Sequence, residues 1–210
     1  IVKRIETYYF RGVSLIIMTK RRRVHPGKED LRNDIWLLLK EQGVSTHEPF
    51  GRIPAFKGAD KAAERLATLP IWQQAKVVKC NPDKPQAPVR LRALKDGKRL
   101  YMAVPRLKNI RCFVELTSES LKRRKINLEE ASFSRKAMKH GKLVSFEEMQ
   151  PIDLVVSGCV AVTRNGGRLG KGAGFADLEL GMLSEFGLVK STTPIVTTVH
   201  PLQIAKDAHL

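Results

Sequence analysis

The stretch Gly166-Gly167-Arg168-Leu169-Gly170-Lys171-Gly172-Ala173-Gly174-Phe175-Ala176-Asp177-Leu178-Glu179-Leu180 gathers the residue types that handle an anion. Gly170, Gly172 and Gly174 alternate with other residues, so the backbone can turn with no Cβ in the way and aim successive N–H groups at one charge. Arg168 and Lys171 add positive charge. A helix predicted to begin near Ala173 turns the positive end of its dipole to the same point. The spacing excludes two common cradles. A Walker A loop needs glycine at 165 and Ser or Thr at 172, where the chain has Asn165 and Gly172, and a dinucleotide fingerprint needs glycine where Phe175 stands. From local sequence alone two descriptions stay open: an anion site, or a glycine-rich strand-to-helix turn with two solvated basic side chains.

A second pair of cations lies far away in sequence. Lys28 and Arg32 are four residues apart in a helix predicted from about Lys28 to Gln42. That spacing puts both on one face, where they can share an anion or simply be solvated. Arg52 sits between Phe50 and Phe56 in a loop, equally a binding feature and a packed connector. The run Lys122-Arg123-Arg124-Lys125 has no aromatic residue interleaved, and no RNA-recognition signature occurs, so it reads as a solvated face. Cys80, Cys112 and Cys159 each lie in an apolar run and read as reduced core residues. The five histidines show no metal-ligand spacing, which argues against a zinc site.

Composition sets the frame for these groups. The 210 residues suit one large domain with a substantial core, and 42% are hydrophobic. The formal charge of +17 implies anionic partners, yet all of the excess lies before Pro151. Beyond that point five Lys/Arg balance five Asp/Glu, so the glycine loop sits in a neutral third. The apolar run Val13 to Met18 is too short to span a bilayer and no cleavage site follows it, so no membrane association and a cytoplasmic location are expected.

The elements that must position the loop follow from periodicity. Residues 1–26 read as an N-terminal extension outside the core, and 27–210 as one domain. Leu31, Ile35, Leu38 and Leu39 give the first core helix its apolar face, and Gly43 stops it. A helix from Ala59 to about Leu69 ends at Pro70, and Ala75 to Cys80 is a strand. The proline-rich Asn81 to Pro88 is expected to be a stiff surface loop, and Val89 to Leu94 either helix or strand. Strands are predicted for Arg99 to Val104 and Cys112 to Leu116, and a helix for Leu128 to Lys139. Ile152 to Val162 is a near-continuous apolar run, the sign of a strand buried on both faces of a parallel sheet. The glycine loop, a helix to Phe186 and a strand from Pro194 to Val199 complete a βαβ unit. The fold class is therefore α/β: three layers, a mostly parallel sheet with helices on both faces, in a single domain.

With these pieces in order, the chain resembles the 5-formyltetrahydrofolate cyclo-ligase family, and within it the methenyltetrahydrofolate-synthetase-domain subgroup. The matching segments are Arg52-Ile53-Pro54-Ala55-Phe56-Lys57-Gly58, Asn81-Pro82-Asp83-Lys84-Pro85, Val104-Pro105-Arg106-Leu107, Arg168 to Leu180, and Thr193 to His200. The resemblance implies an ATP- and Mg²⁺-dependent ligase, expected to be a monomer, that converts 5-formyltetrahydrofolate to 5,10-methenyltetrahydrofolate. It implies that Lys28 and Arg32 hold nucleotide phosphates together with Arg168, Gly170, Lys171, Gly172 and Gly174. Arg168 and Lys171 also act on the reacting phosphoryl group, Asp177 holds Mg²⁺, and Pro105 and Arg106 lie beside the folate pocket, where Arg106 faces either the nucleotide phosphates or the folate glutamate tail.

The chain departs from the family pattern at Thr163, Ala176 and Pro201. It also ends at Leu210, before a further strand and turn of the family pattern, so either a fragment or a diverged copy with an exposed sheet edge is expected. Two other function classes stay in view. One is a non-catalytic domain binding RNA or another polyanion through its basic first 150 residues. The other is a sugar-phosphate isomerase, for which no carboxylate base is identifiable.

Overall fold

The computed structural model describes residues 5–10, 13–18, 26–104 and 110–206. The chain opens with β1 (Ile5–Phe10) and β2 (Val13–Met18), which pair antiparallel in a two-stranded sheet of their own. Then come α1 (Pro26–Glu41), α2 (Ala59–Ala67), α3 (Pro70–Gln74), β3 (Val77–Cys80), α4 (Ala87–Lys95), β4 (Arg99–Ala103) and β5 (Phe113–Leu116). They are followed by α5 (Ser118–Arg123), α6 (Leu128–Ser132), α7 (Ser134–His140), β6 (Lys142–Val144), β7 (Leu154–Val156) and β8 (Ala161–Thr163). Last come β9 (Arg168–Leu169), α8 (Phe175–Glu185), β10 (Ile195–Val196) and β11 (Ile204–Ala205).

A six-stranded sheet in the order β10-β7-β3-β4-β5-β6 forms the middle layer. Its first four strands are parallel, and β5 and β6 continue it antiparallel. Alternation along each strand splits the core into two layers. Val78, Cys80, Leu100, Met102, Leu154 and Val156 face a layer built from α2 through α7. Val77, Tyr101, Phe113 and Val155 face the other layer, where Leu183 of α8 packs with Phe146, Ile152 and Leu188. The expected three-layer α/β architecture is thus present, with two antiparallel strands at one edge.

The apolar run from Ile152 to Val162 is two strands in two sheets, not one. Residues 154–156 belong to the large sheet, while 161–163 join a small sheet ordered β11-β8-β9. The crossover passes Gly158, where an added Cβ would stand 2.9 Å from Gln86 Oε1 and 3.0 Å from Ile53 Cγ2, so only glycine lets the chain leave the sheet there. The parallel neighbours β7 and β10 therefore bracket the small sheet as well as α8. The glycine loop consequently follows β9 of the small sheet rather than a strand of the large one.

Other expectations are revised by tertiary contacts. Pro70 does not merely stop α2; it opens α3 in the first-turn position, where its missing N–H costs nothing. The segment Asn81 to Pro88 is not a surface loop, since Pro85, Gln86 and Ala87 are buried. Residues 89–94 are helical. The predicted helix from Leu128 to Lys139 breaks at Phe133, which is extended, because the buried Arg90 takes the carbonyl of Ser132 at 2.7 Å. The small sheet has a third strand at Ile204–Ala205, parallel to β8, that the sequence reading did not place. A third core cluster joins the small sheet to the domain: Leu31, Ile35, Trp36 and Leu39 of α1 pack with Val160, Ala161 and Leu169.

Candidate active site

One cavity of about 560 Å³ lies where α1, the segment after β3, the Gly158 crossover and the glycine loop converge. Lys28, Arg32, Arg168, Gly170, Lys171, Gly172, Gly174 and Asp177 all line it. Residues more than 130 positions apart in sequence thus share one wall. Pro105 and Arg106 lie outside the described residues.

The loop is shaped by two glycines rather than three. Gly172 (φ 94°) and Gly174 (φ 74°) adopt left-handed backbone, which strains any other residue, whereas Gly170 does not. Gly174 is the N-cap of α8 and offers no side chain, so the helix start is not capped from within. The first turn of α8, with its unpaired N–H groups and the positive end of its dipole, borders the cavity that Phe175, Ala176 and Asp177 line.

Arg32 braces this loop from beneath. Its side chain is 8% exposed; Nε donates to the Gly170 carbonyl at 2.7 Å, and Nη1 donates to Glu29 Oε2 at 2.8 Å. The guanidinium carbon also lies 3.6 Å from where a Cβ on Gly172 would stand. Arg32 therefore organises the loop as well as adding charge. Arg168 Nη2 meets Asp177 Oδ1 at 2.6 Å, while Nη1 donates to the Gly158 carbonyl at 3.1 Å. Lys171 Nζ stands 3.6 Å from Asp83 Oδ1. Arg168 and Lys171 thus each face a carboxylate that also lines the cavity.

Several site-forming residues escaped sequence reasoning. Asp83 and Asn81 line the cavity, although the sequence marks them only as part of a stiff turn-rich loop and of a segment matching the family. The segment is held by Arg90, 1% exposed, whose Nη1 donates to the carbonyls of Asn81 and, at 3.1 Å, Asp83. Burial pulls the Arg90 pKa below the usual arginine value. Lys79 on β3 is also buried and reaches Glu179 Oε2 at 2.5 Å and Asn81 Oδ1 at 2.8 Å. A lysine interrupting an apolar strand was the only signal for this pair. Ile53 contributes an apolar wall, and Arg52, by contrast, is exposed and gives Trp36 its backbone carbonyl at 2.9 Å. Burial pushes the Cys159 thiol up to about 11, so it is no ready nucleophile beside Gly158.

The departures from the family pattern have local structural uses. Thr163 Oγ1 accepts from the Gly167 N–H at 2.8 Å and shapes the β8–β9 turn. Pro201 opens a 3₁₀ turn that His200 caps.

The family model for the 5-formyltetrahydrofolate cyclo-ligase family matches residues 24–208. The chain belongs to that family. It is 36% identical over 179 residues to the methenyltetrahydrofolate synthase domain-containing protein of Bos taurus, covering 84% of this chain and 47% of the relative. The human protein of the same description is 35% identical over 185 residues, with 87% and 48% covered. The chain therefore spans about half the length of the curated relatives it matches. The NMR structure of Aquifex aeolicus 5,10-methenyltetrahydrofolate synthetase superposes with a TM-score of 0.50 at 20% identity, covering 84% of this chain and 79% of that one, which shows the shared fold.

The donor set suits magnesium arriving with a polyphosphate. Mg²⁺ takes one or two carboxylates and completes its shell with phosphate oxygens and water. Asp177 and Asp83 both line the cavity beside cations able to take those phosphates. Among the described residues no group of three His, Cys, Asp or Glu forms a metal cage by itself.

Proposed function

We propose that the chain catalyses the ATP- and Mg²⁺-dependent conversion of 5-formyltetrahydrofolate to 5,10-methenyltetrahydrofolate. The observation that carries this is the convergence of Lys28, Arg32, Arg168, Lys171 and the start of α8 on one cavity, in a chain of the cyclo-ligase family. The formyl oxygen attacks the γ-phosphorus of ATP and ADP leaves. N10 of the folate then attacks the activated carbon, loses its proton, and phosphate departs. Such phosphoryl transfer depends mainly on positioning and charge neutralisation.

Lys28, Arg168 and Lys171 neutralise the transferring phosphoryl group, and Arg32 holds the loop so that its N–H groups meet the same charge. Asp177, with Asp83 near Lys171, would hold Mg²⁺, which supplies further neutralisation of the phosphates. Phe175, 41% exposed at the cavity wall, offers a face for a flat ring.

Purified protein given Mg-ATP and 5-formyltetrahydrofolate should develop the near-ultraviolet absorbance of the methenyl product, and Asp177→Ala should abolish it. No turnover by well-folded protein rejects the enzyme assignment. The competing reading, a non-catalytic polyanion-binding domain, draws on the exposed run Lys122 to Lys125. It requires RNA binding whose affinity falls steeply with salt.

A further inference from the structure

Lys79 and Glu179 form an ion pair in a place where stability does not call for one. Lys79 is fully buried on β3, Glu179 is 5% exposed on α8, and their Nζ and Oε2 atoms are 2.5 Å apart. Replacing such a pair by apolar side chains is often neutral or stabilising, because both charges lose their hydration. Lys79 lies behind the cavity, whereas both of its partners, Glu179 and Asn81, line it.

The bonding pattern sets which atoms those partners present. A lysine ammonium only donates, so the Asn81 side chain must turn Oδ1 toward Lys79, leaving Nδ2 outward. Glu179 uses Oε2 on Lys79 and keeps Oε1. Both side chains line the cavity, so Nδ2 and Oε1 are the atoms they have left to offer a ligand there. The floor thus carries one donor and one acceptor on side chains tied to the same ammonium.

We infer that Asn81 and Glu179 bind a ring edge on which a hydrogen-bond acceptor stands beside an N–H donor, and that Lys79 is the positioning residue for both. The inference rests on the proposed folate and ATP chemistry. Phosphate is unsuited to this floor because Glu179 presents a carboxylate oxygen. The required edge occurs on the reduced-folate ring and on adenine, and binding measurements distinguish them.

Titration calorimetry on the whole chain, with 5-formyltetrahydrofolate, Mg-ATP and ring-free Mg-tripolyphosphate in turn, tests this. Asn81→Asp keeps an acceptor for Lys79 but turns the outward donor into an acceptor; Glu179→Gln does the reverse. Charge alone would make the first variant bind anions more weakly and the second more tightly. The inference expects both variants to lose about tenfold or more in affinity for the same ring ligand. Tripolyphosphate should follow charge alone, and Lys79→Met should show the same ring-ligand loss. The ligand that weakens identifies which ring the floor takes.

Both variants binding both ring ligands within about twofold of the parent overturns the floor while leaving the proposed function standing. Equal loss for all three probes in both variants overturns it as well, since that marks a structural role only. A parent protein that binds tripolyphosphate but neither ring ligand overturns both readings.

Discussion

Arg168 and Asp177 neutralise one another at the start of α8, with Nη2 and Oδ1 2.6 Å apart. The cation proposed for phosphate and the carboxylate proposed for Mg²⁺ are therefore each other's partners before either ligand arrives. A polyphosphate that claims Arg168 releases Asp177, and a metal that claims Asp177 releases Arg168, so the two ligands should assist one another. Asp177→Asn should raise affinity for metal-free tripolyphosphate by up to about fivefold, the scale of a largely exposed ion pair. It should also remove most of the gain from added Mg²⁺. Calorimetry with and without a chelator reads both effects, and an unchanged metal-free affinity would reject the coupling.

Arg32 and Gly172 form one mechanical unit. Arg32→Lys removes the planar guanidinium that reaches Gly170 and packs on Gly172, so the KM for ATP should rise about tenfold while the melting temperature changes little. Gly172→Ala meets only ordinary contact with Arg32 but is strained at φ 94°, costing about 1–2 kcal/mol. Steady-state kinetics beside thermal melts separates loop placement from global stability.

Gly141 is a structural counterpart that does not line the cavity. A Cβ there would stand 2.0 Å from Val114 Cγ1 and 2.9 Å from the Ala137 and Glu115 carbonyls. Gly141→Ala should destabilise by about 3 kcal/mol, the upper range for overpacking. Urea unfolding measures it directly.

The thiols give a pH dependence with a definite sign. Burial pushes Cys80, Cys112 and Cys159 each up to about 11 from 9.0. A raised folded-state pKa means that their contribution is complete below about pH 9 and is lost as pH rises toward 11. Stability should therefore fall over that alkaline window, more steeply than in a Cys112→Ala variant. At neutral pH a thiol reagent should label the native protein slowly and the unfolded chain quickly.

How much was legible differs from element to element. Helix α1 could be read because Leu31, Ile35 and Leu39 recur at helical spacing, and the stretch from Gly166 because its glycines, cations and Asp177 lie within one short segment. The break at Phe133 could not be read, because its cause is Arg90, more than forty residues earlier, which takes the Ser132 carbonyl. The division of Ile152 to Val162 was equally hidden. Both halves are apolar, and only the crowding at Gly158 by Gln86 and Ile53 shows where the chain changes sheets.

By itself, the sequence determined the α/β class, the family, and the residues that bring charge to the site, because side-chain chemistry and short-range periodicity are written locally. Tertiary structure placed Lys28 and Arg32 in one cavity with the glycine loop, a grouping that only the family resemblance implied from sequence. It also paired Arg168 with Asp177 and put Lys79 behind Asn81 and Glu179. Those relations depend on strand order and on which elements pack together. They are set by burial across the whole domain, and no local stretch encodes them.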